Sequence, residues 1–311
     1  MVVAVGLLRD GAGRVLVGRR SADGHLPNLQ EFPGGKCAAG EGAHDALVRE
    51  LREELGIDVL AGFEILTIAH DYPDRSVLLR VYRVHAWKGE VEAREGQVLD
   101  WVDPGLLDAA GFPAASRAIV NAARLPDFYL ISPEPTGVRA IDSEVERVER
   151  RLARGGIGLL QIRAPGLKRS AFLEYAVALM DSATRHGVAT LVNAPRDWLD
   201  SLPPAGWHLT ERRLMSLSER PYCPGWLAAS IHDRRGLERA MALPVDFVVA
   251  GPVKPTLTHP GVRPLGLQGF AGLRAGASCP VYALGGLTSH DLRAVQETGA
   301  QGIAAIRGLL E

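Results

Sequence analysis

The sequence predicts two domains of different class: an α+β domain over residues 1–124 and an α/β domain, a (β/α)8 barrel, over 128–311. Three observations predict this. A length of 311 residues exceeds what one hydrophobic core commonly serves. Before residue 124, apolar runs and helical patterns follow each other irregularly. After residue 128, continuous apolar runs alternate with helical stretches, the pattern of parallel strands buried on both faces.

In the first domain, strands are predicted at 2–8, 15–18, 63–69 and 77–85, rich in Val, Leu and Ile. Asp10-Gly11 sits between the first two and signals a hairpin. A helix is expected over 44–55, stopped by Gly56, and another over 114–123 after Pro113. A bridge at 124–127 precedes the change of pattern. Eight short strands follow, at 129–131, 159–162, 190–193, 207–209, 227–230, 247–250, 281–284 and 303–306. Helices are expected between them, among them 144–154, 170–186 and 290–298. Eight such units predict a closed barrel, compact for its kind. The chain ends soon after the eighth strand, so its last helix must be very short.

Charge narrows the function. Lys plus Arg is 35 and Asp plus Glu is 36. Near-neutrality argues against a general footprint for nucleic acid or an acidic membrane. A small nucleotide needs only local charge and is not excluded. Cys37, Cys223 and Cys279 form no CxxC and read as reduced thiols, small buried hydrophobes of a cytosolic protein. The opening run VVAVGLL is too short to span a bilayer and lacks a basic lead, so it reads as a buried strand. A soluble, cytoplasmic protein is expected.

The stretch RELREELG, 49–56, carries the densest chemistry. On a helix over 43–55, Glu50, Glu53 and Glu54 fall within about a 100° arc. Leu47, Leu51 and Leu55 form the neighbouring stripe, which should bury. Like charges at this spacing repel by a few tenths of a kcal/mol per pair. Either water solvates them or a cation collects them. On composition alone, a solvated acidic face is the better reading.

The surrounding frame changes that reading. Gly35, five residues, Glu41, seven residues, then Arg49-Glu50-Leu51, Arg52, Glu53-Glu54, Leu55, Gly56-Ile57 resembles the Nudix box, GX5EX7REUXEEXGU. All nine specified positions match. The resemblance implies a Nudix fold, a mixed sheet between helices. It implies a Mg2+-dependent hydrolase, with Mn2+ a possible substitute. Glu50, Glu53 and Glu54 become metal ligands helped by the Gly35 carbonyl, one nearby carboxylate becomes a general base, and Arg49 orients the glutamates beside Glu41. Arg49 as a plain helix salt bridge and Glu41 as a helix-start residue are the structural alternatives.

The stretches at 19–36, YPDR at 72–75, WKGE at 87–90 and REGQ at 94–97 resemble the MutT branch, the 8-oxo-dGTP diphosphatases. That likeness implies 8-oxo-dGTP hydrolysis to 8-oxo-dGMP and pyrophosphate, a role in nucleotide-pool sanitation and DNA repair. Glu95 then stands at an additional metal-ligand or base position. Arg20 and His25 stand at substrate-contacting positions, and Phe32 near the base pocket. Surface, loop and core roles are the alternatives for these three. Ser116 stands where the branch carries an asparagine that reads the purine edge. Serine offers one rotatable hydroxyl in place of a planar donor–acceptor group.

The second half resembles thiamine phosphate synthase and its relative TenI, over 128–311. QIR at 161–163, LVNAP at 191–195, HL at 208–209, SIH at 230–232, GPVKPTLTHPG at 251–261 and ALGGL at 283–287 carry the likeness. Gly285 and Gly286 follow a strand, where bare amides could bind phosphate; a tight turn needing glycine is the alternative. Several positions depart. Ala194 and Pro195 replace an Asp-Arg pair, ThrGluArgArg at 210–213 replaces a second metal aspartate, Pro252 replaces a histidine of the tautomerase, and Arg307 replaces a serine. The barrel is expected to lack synthase activity. It either binds a phosphorylated or thiazole-like ligand through Gln161, Arg163, Lys254, Gly285 and Gly286, or serves as a scaffold. Two other readings stay open: a hydrolase of a thiamine-precursor diphosphate, and a barrel that senses thiazole or thiamine phosphates.

Overall fold

A computed structural model describes residues 1–19, 29–256 and 261–311. The chain divides into two compact units, Met1–Arg124 with Ala275–Pro280, and Leu125–Arg274 with Val281–Glu311.

The first unit contains β1 Val2–Leu8, β2 Val15–Arg19, β3 Gln30–Glu31, β4 Gly34–Lys36, α1 Ala43–Leu55, β5 Asp58–Tyr72, β6 Arg75–Lys88, β7 Val98–Val102 and α2 Arg117–Arg124. One sheet runs β4-β1-β6-β5 and the other β3-β2-β7. β1 and β6 are parallel while the other pairs are antiparallel, so the sheet is mixed as expected. Alternation of buried and half-exposed residues on β5 and β6 places cores on both sides. On one side Leu47, Leu51 and Leu55 of α1 pack on Ala4, Leu8, Leu16 and Val84. On the other, Phe32, Phe112, Ile119 and Val120 pack on Val5, Leu7 and Val81. Burying each of these leucines is worth about 1.5–3 kcal/mol, which fixes α1 against the sheet.

The predicted hairpin at Asp10-Gly11 is corrected. Asp10 does turn the chain, its Oδ1 accepting from Ala12 N and Arg14 N. Beyond one bridge, Arg9 with Val15, the strands separate into different sheets. β5 and β6 are longer than predicted, 15 and 14 residues, because polar side chains on their open face hid the strand pattern.

The second unit contains β8 Phe128–Ile131, α3 Ile141–Ala153, β9 Leu159–Ile162, α4 Arg169–Arg185, β10 Ala189–Val192, α5 Arg196–Leu199, β11 Gly206–Leu209, α6 Glu211–Ser216, β12 Leu227–Ile231, α7 Arg234–Ala242, β13 Phe247–Ala250, α8 Gly266–Arg274, β14 Val281–Leu284, α9 Leu292–Glu297, β15 Gly302–Ala305 and α10 Arg307–Leu310. The eight strands close a parallel barrel. The final helix has four residues, as the spacing required. Tyr129, Phe247 and Tyr282 fill the interior, with ring centroids 5.3 to 5.8 Å apart. Such aromatic packing adds to area burial and leaves no pore. Among the described residues, no helix is long and apolar enough to cross a membrane.

Candidate active site

The site is built where α1 meets the turn into β4. Gly42 precedes α1, and Gly56, at φ 69°, ends it in the left-handed conformation that glycine adopts without strain. Burial of the leucine stripe turns Glu50 and Glu54 towards the Gly34-Gly35 backbone, with Arg49 beside them and Glu53 more exposed, reached through Arg49. A Cβ on Gly35 would meet the Glu50 carboxylate, so the glycine leaves that carboxylate the place it occupies. Glu54 Oε2 accepts from Gly34 N at 3.1 Å.

Arg49 gathers the acidic groups. Its Nε and Nη2 donate to the two oxygens of Glu41 at 2.9 and 3.0 Å. Its Nη1 donates to Glu50 Oε1 at 2.9 Å and Glu53 Oε2 at 3.1 Å. Its Nη2 also reaches the Lys36 carbonyl at 3.1 Å. The guanidinium fork holds the Glu41 carboxyl down to about 2, helped by the Ala38 amide. Glu54 moves the other way. Burial pushes it up to about 7, and the Glu50, Glu95 and Glu31 charges add to this against the Gly34 amide.

A loop brings Glu95 to the same end of α1. Arg94 N and Gln97 Nε2 both donate to the Glu54 carbonyl at 3.0 Å. Glu92 N donates to the Leu55 carbonyl at 3.0 Å. Two of the carbonyls that a helix end leaves open, those of Glu54 and Leu55, are thereby paired.

Phe32 and Ser116 lie elsewhere. Phe32 is buried and stacks on Phe112 with centroids 5.0 Å apart, which is its core alternative. Ser116 is buried at the end of a 3-10 turn, its amide donating to the Pro113 carbonyl. Arg20 and His25 lie outside the described residues.

The barrel mouth holds a cavity of about 510 Å3, lined among others by Gln161, Arg163, Asn193, Gly285, Gly286 and Arg307. Lys254 does not line it, because its Nζ is drawn to Asp291 Oδ1 at 2.7 Å. Gly285 and Gly286 have φ of 101° and 65° and lie against Pro252 and Pro255, so close packing alone demands glycine there. Beneath the cavity, Gln161 Nε2 donates to the Tyr129 hydroxyl at 3.4 Å, and that hydroxyl stands 3.1 Å from His208 Nδ1. His208 Nε2 faces Ser230 Oγ at 2.8 Å. Burial, with the Arg163 charge second, holds His208 neutral, its pKa lowered to about 3.

Comparison with known proteins now decides the family. Residues 4–122 match the NUDIX domain family and 128–309 the family of thiamine monophosphate synthase. The first part is 37% identical over 118 residues to an Escherichia coli 8-oxo-dGTP diphosphatase, covering 38% of this chain and 92% of that protein. A Haemophilus influenzae 8-oxo-dGTP diphosphatase is 37% identical over 119 residues, 38% of this chain and 88% of the relative. The second part is 31% identical over 188 residues to a Thermus thermophilus thiamine-phosphate synthase, 59% of this chain and 88% of that protein. This chain is a Nudix hydrolase joined to a member of the thiamine monophosphate synthase family.

The Nudix half therefore acts on phosphoric anhydrides. Nudix hydrolases generally need a divalent metal. Among the described residues, no three His, Cys, Asp or Glu side chains stand together as a ready metal cluster. Arg49 Nη1 donates to both Glu50 Oε1 and Glu53 Oε2. The donors nevertheless fit a hard cation: carboxylate oxygens one turn apart, over a glycine that leaves space for one of them. The barrel residues do not fit the metal its family implies. Ala194 offers no ligand, Arg213 Nη1 donates to Asn193 Oδ1 at 3.3 Å, and Glu211 Oε1 is taken by the His232 amide at 3.2 Å. Two participants escaped the sequence reading. Glu31, inside EFPGGK, adds its charge at Glu54, and Gln97, inside REGQ, ties the loop to α1. The motifs contained both residues, but only the fold shows whom they face.

Proposed function

We propose that the Nudix half is a Mg2+-dependent nucleoside triphosphate pyrophosphohydrolase that converts 8-oxo-dGTP and water to 8-oxo-dGMP and pyrophosphate. The observation that carries this reading is the seating of Glu50 on Gly35 and Glu54 on Gly34, with Arg49 gathering Glu41, Glu50 and Glu53 beside them. Likeness to 8-oxo-dGTP diphosphatases supports the substrate. Glu50, Glu53, Glu54 and Glu95, with the Gly35 carbonyl, would hold Mg2+, or Mn2+ in its place. When bound, the ion neutralises phosphate charge and acidifies water. One of these carboxylates takes the proton of the attacking water, and Arg49 keeps Glu50 and Glu53 oriented. The anhydride P–O bond breaks and pyrophosphate leaves. Arg20 and His25 are the proposed substrate contacts. The setting is cytoplasmic, and the role is removal of oxidised dGTP before DNA replication.

A panel of 8-oxo-dGTP, dGTP and a pyrimidine diphosphate precursor of thiamine, run with Mg2+ on the whole protein, tests this. Preference for the pyrimidine diphosphate would replace the nucleotide reading with one in thiamine metabolism. For the barrel, Ala194 and the Arg213–Asn193 bond favour loss of synthase activity. Formation of thiamine phosphate by the purified protein would overturn that. The cavity lined by Gln161, Arg163, Gly285 and Gly286 is the proposed seat of a phosphorylated or thiazole-like ligand. Thermal-shift measurements with thiazole and thiamine phosphates check it, and no shift would favour a scaffold.

A further inference from the structure

The loop REGQ, 94–97, is exposed except for Gln97, yet it carries a carboxylate that must be placed closely to act at the α1 site. Each residue of the loop has a separable physical task. The Arg94 amide donates to the Glu54 carbonyl at 3.0 Å, and the Arg94 guanidinium lies over Gly56, where a Cβ would meet it at 2.4 Å. Gly96 has φ +74°, and a Cβ there would meet nothing, so backbone conformation alone requires glycine. That reversal folds the Gln97 side chain back over the loop. Gln97 Oε1 then accepts from the Glu95 amide at 2.9 Å, while Gln97 Nε2 donates to the Glu54 carbonyl at 3.0 Å.

We infer that Gln97 is a positioning residue for metal binding, a clasp that fixes Glu95 relative to Glu54. The inference rests on the hydrolase reading above and deepens it. One amide group spans the backbones of both acidic residues, with each end using its proper polarity: carbonyl to N–H, NH2 to C=O. Glutamine is the residue that fits. Glutamate would lose the donor towards Glu54, asparagine would be a methylene too short, and methionine would keep the shape with neither bond. The Glu54 carbonyl accepts from both Arg94 N and Gln97 Nε2, so without Gln97 the hydrogen bonds left between the loop and α1, among the described residues, are the main-chain ones from Glu92 and Arg94. Partners outside the ligand set commonly change metal affinity ten- to a hundredfold.

The test compares the whole protein with its Gln97→Met and Gly96→Ala variants. Mn2+ binding is measured by electron paramagnetic resonance without nucleotide, amide exchange is followed at Glu95, and hydrolysis of 8-oxo-dGTP is measured against Mg2+ concentration. Q97M is expected to weaken Mn2+ binding by about tenfold and to speed exchange at Glu95. It should raise the Mg2+ needed for half-maximal rate, with kcat largely restored at saturating metal. G96A should move the same quantities by less. Unchanged Mn2+ affinity and Glu95 exchange in both variants would overturn the clasp. A kcat loss that no Mg2+ concentration restores would also count against it. If the wild-type protein neither binds Mn2+ nor hydrolyses any member of the nucleotide panel, the hydrolase reading itself falls. A working wild type with an unaffected Q97M removes the clasp alone.

Discussion

The end of α1 and the mouth of the barrel are both sites inherited with a fold, but the chain has treated them in opposite ways. At α1 every position of the Nudix motif is kept, down to the glycine that makes room for Glu50. At the barrel mouth the scaffold is kept, with eight strands and an aromatic interior, while Ala194 and the stretch ThrGluArgArg at 210–213 stand where the resemblance leads one to expect metal aspartates. Fold survives through apolar packing, which tolerates change at the mouth. Chemistry survives only where particular atoms remain.

The largest expected effect breaks the comparison at α1. Glu54→Gln or Glu53→Gln should lower kcat for 8-oxo-dGTP by about 10³-fold or more, since several kcal/mol of charge stabilisation are removed. Retained turnover would show that Glu53 and Glu54 do not carry the reaction. Ser116→Asn comes next. If the position reads the base, a planar amide should improve discrimination of 8-oxo-dGTP over dGTP by about 1–3 kcal/mol, measured as a ratio of kcat/KM values. An unchanged ratio would place base reading elsewhere. Glu41→Gln should act more gently, lowering the rate by roughly tenfold or less, because Arg49 keeps its bonds to Glu50 and Glu53.

A last effect, outside catalysis, lies in the barrel and concerns stability. Folded His208 protonates only near about 3, whereas an unfolded histidine does so near ~6.5. Between these values the unfolded chain holds the extra proton, so stability falls as pH falls from ~6.5. His208→Gln should make the dependence of Tm on pH shallower between those limits. An equal slope would mean that His208 is charged or open to water in the fold.

Much of this contrast was legible in the sequence. Most residues of the eight barrel strands are buried, and they read as short, largely apolar runs broken only by polar residues such as Gln161, Thr190, His208 and Ser230, so each was found. The spacing from Gly35 to Ile57 fixed which acidic residues share a helix face. What failed to show was short or relational. β3 and β4 have two and three residues, too few for any period. The Asp10 turn looks like a hairpin turn until distant partners draw β1 and β2 into different sheets. Lys254 looked like a ligand contact until Asp291, 37 residues away, came within reach. Glu31 and Gln97 stood in plain sight, but their partners lie across a turn and a sheet edge.

The Arg49 fork has a consequence for how this protein lives in a cell. Because Arg49 already offsets part of the charge of Glu41, Glu50 and Glu53, closing of the fold is expected not to depend on capturing a divalent ion. Maturation and loading become separate events. Starvation for magnesium should silence the hydrolase while leaving its resistance to proteolysis intact, and resupply should revive it without any need to refold.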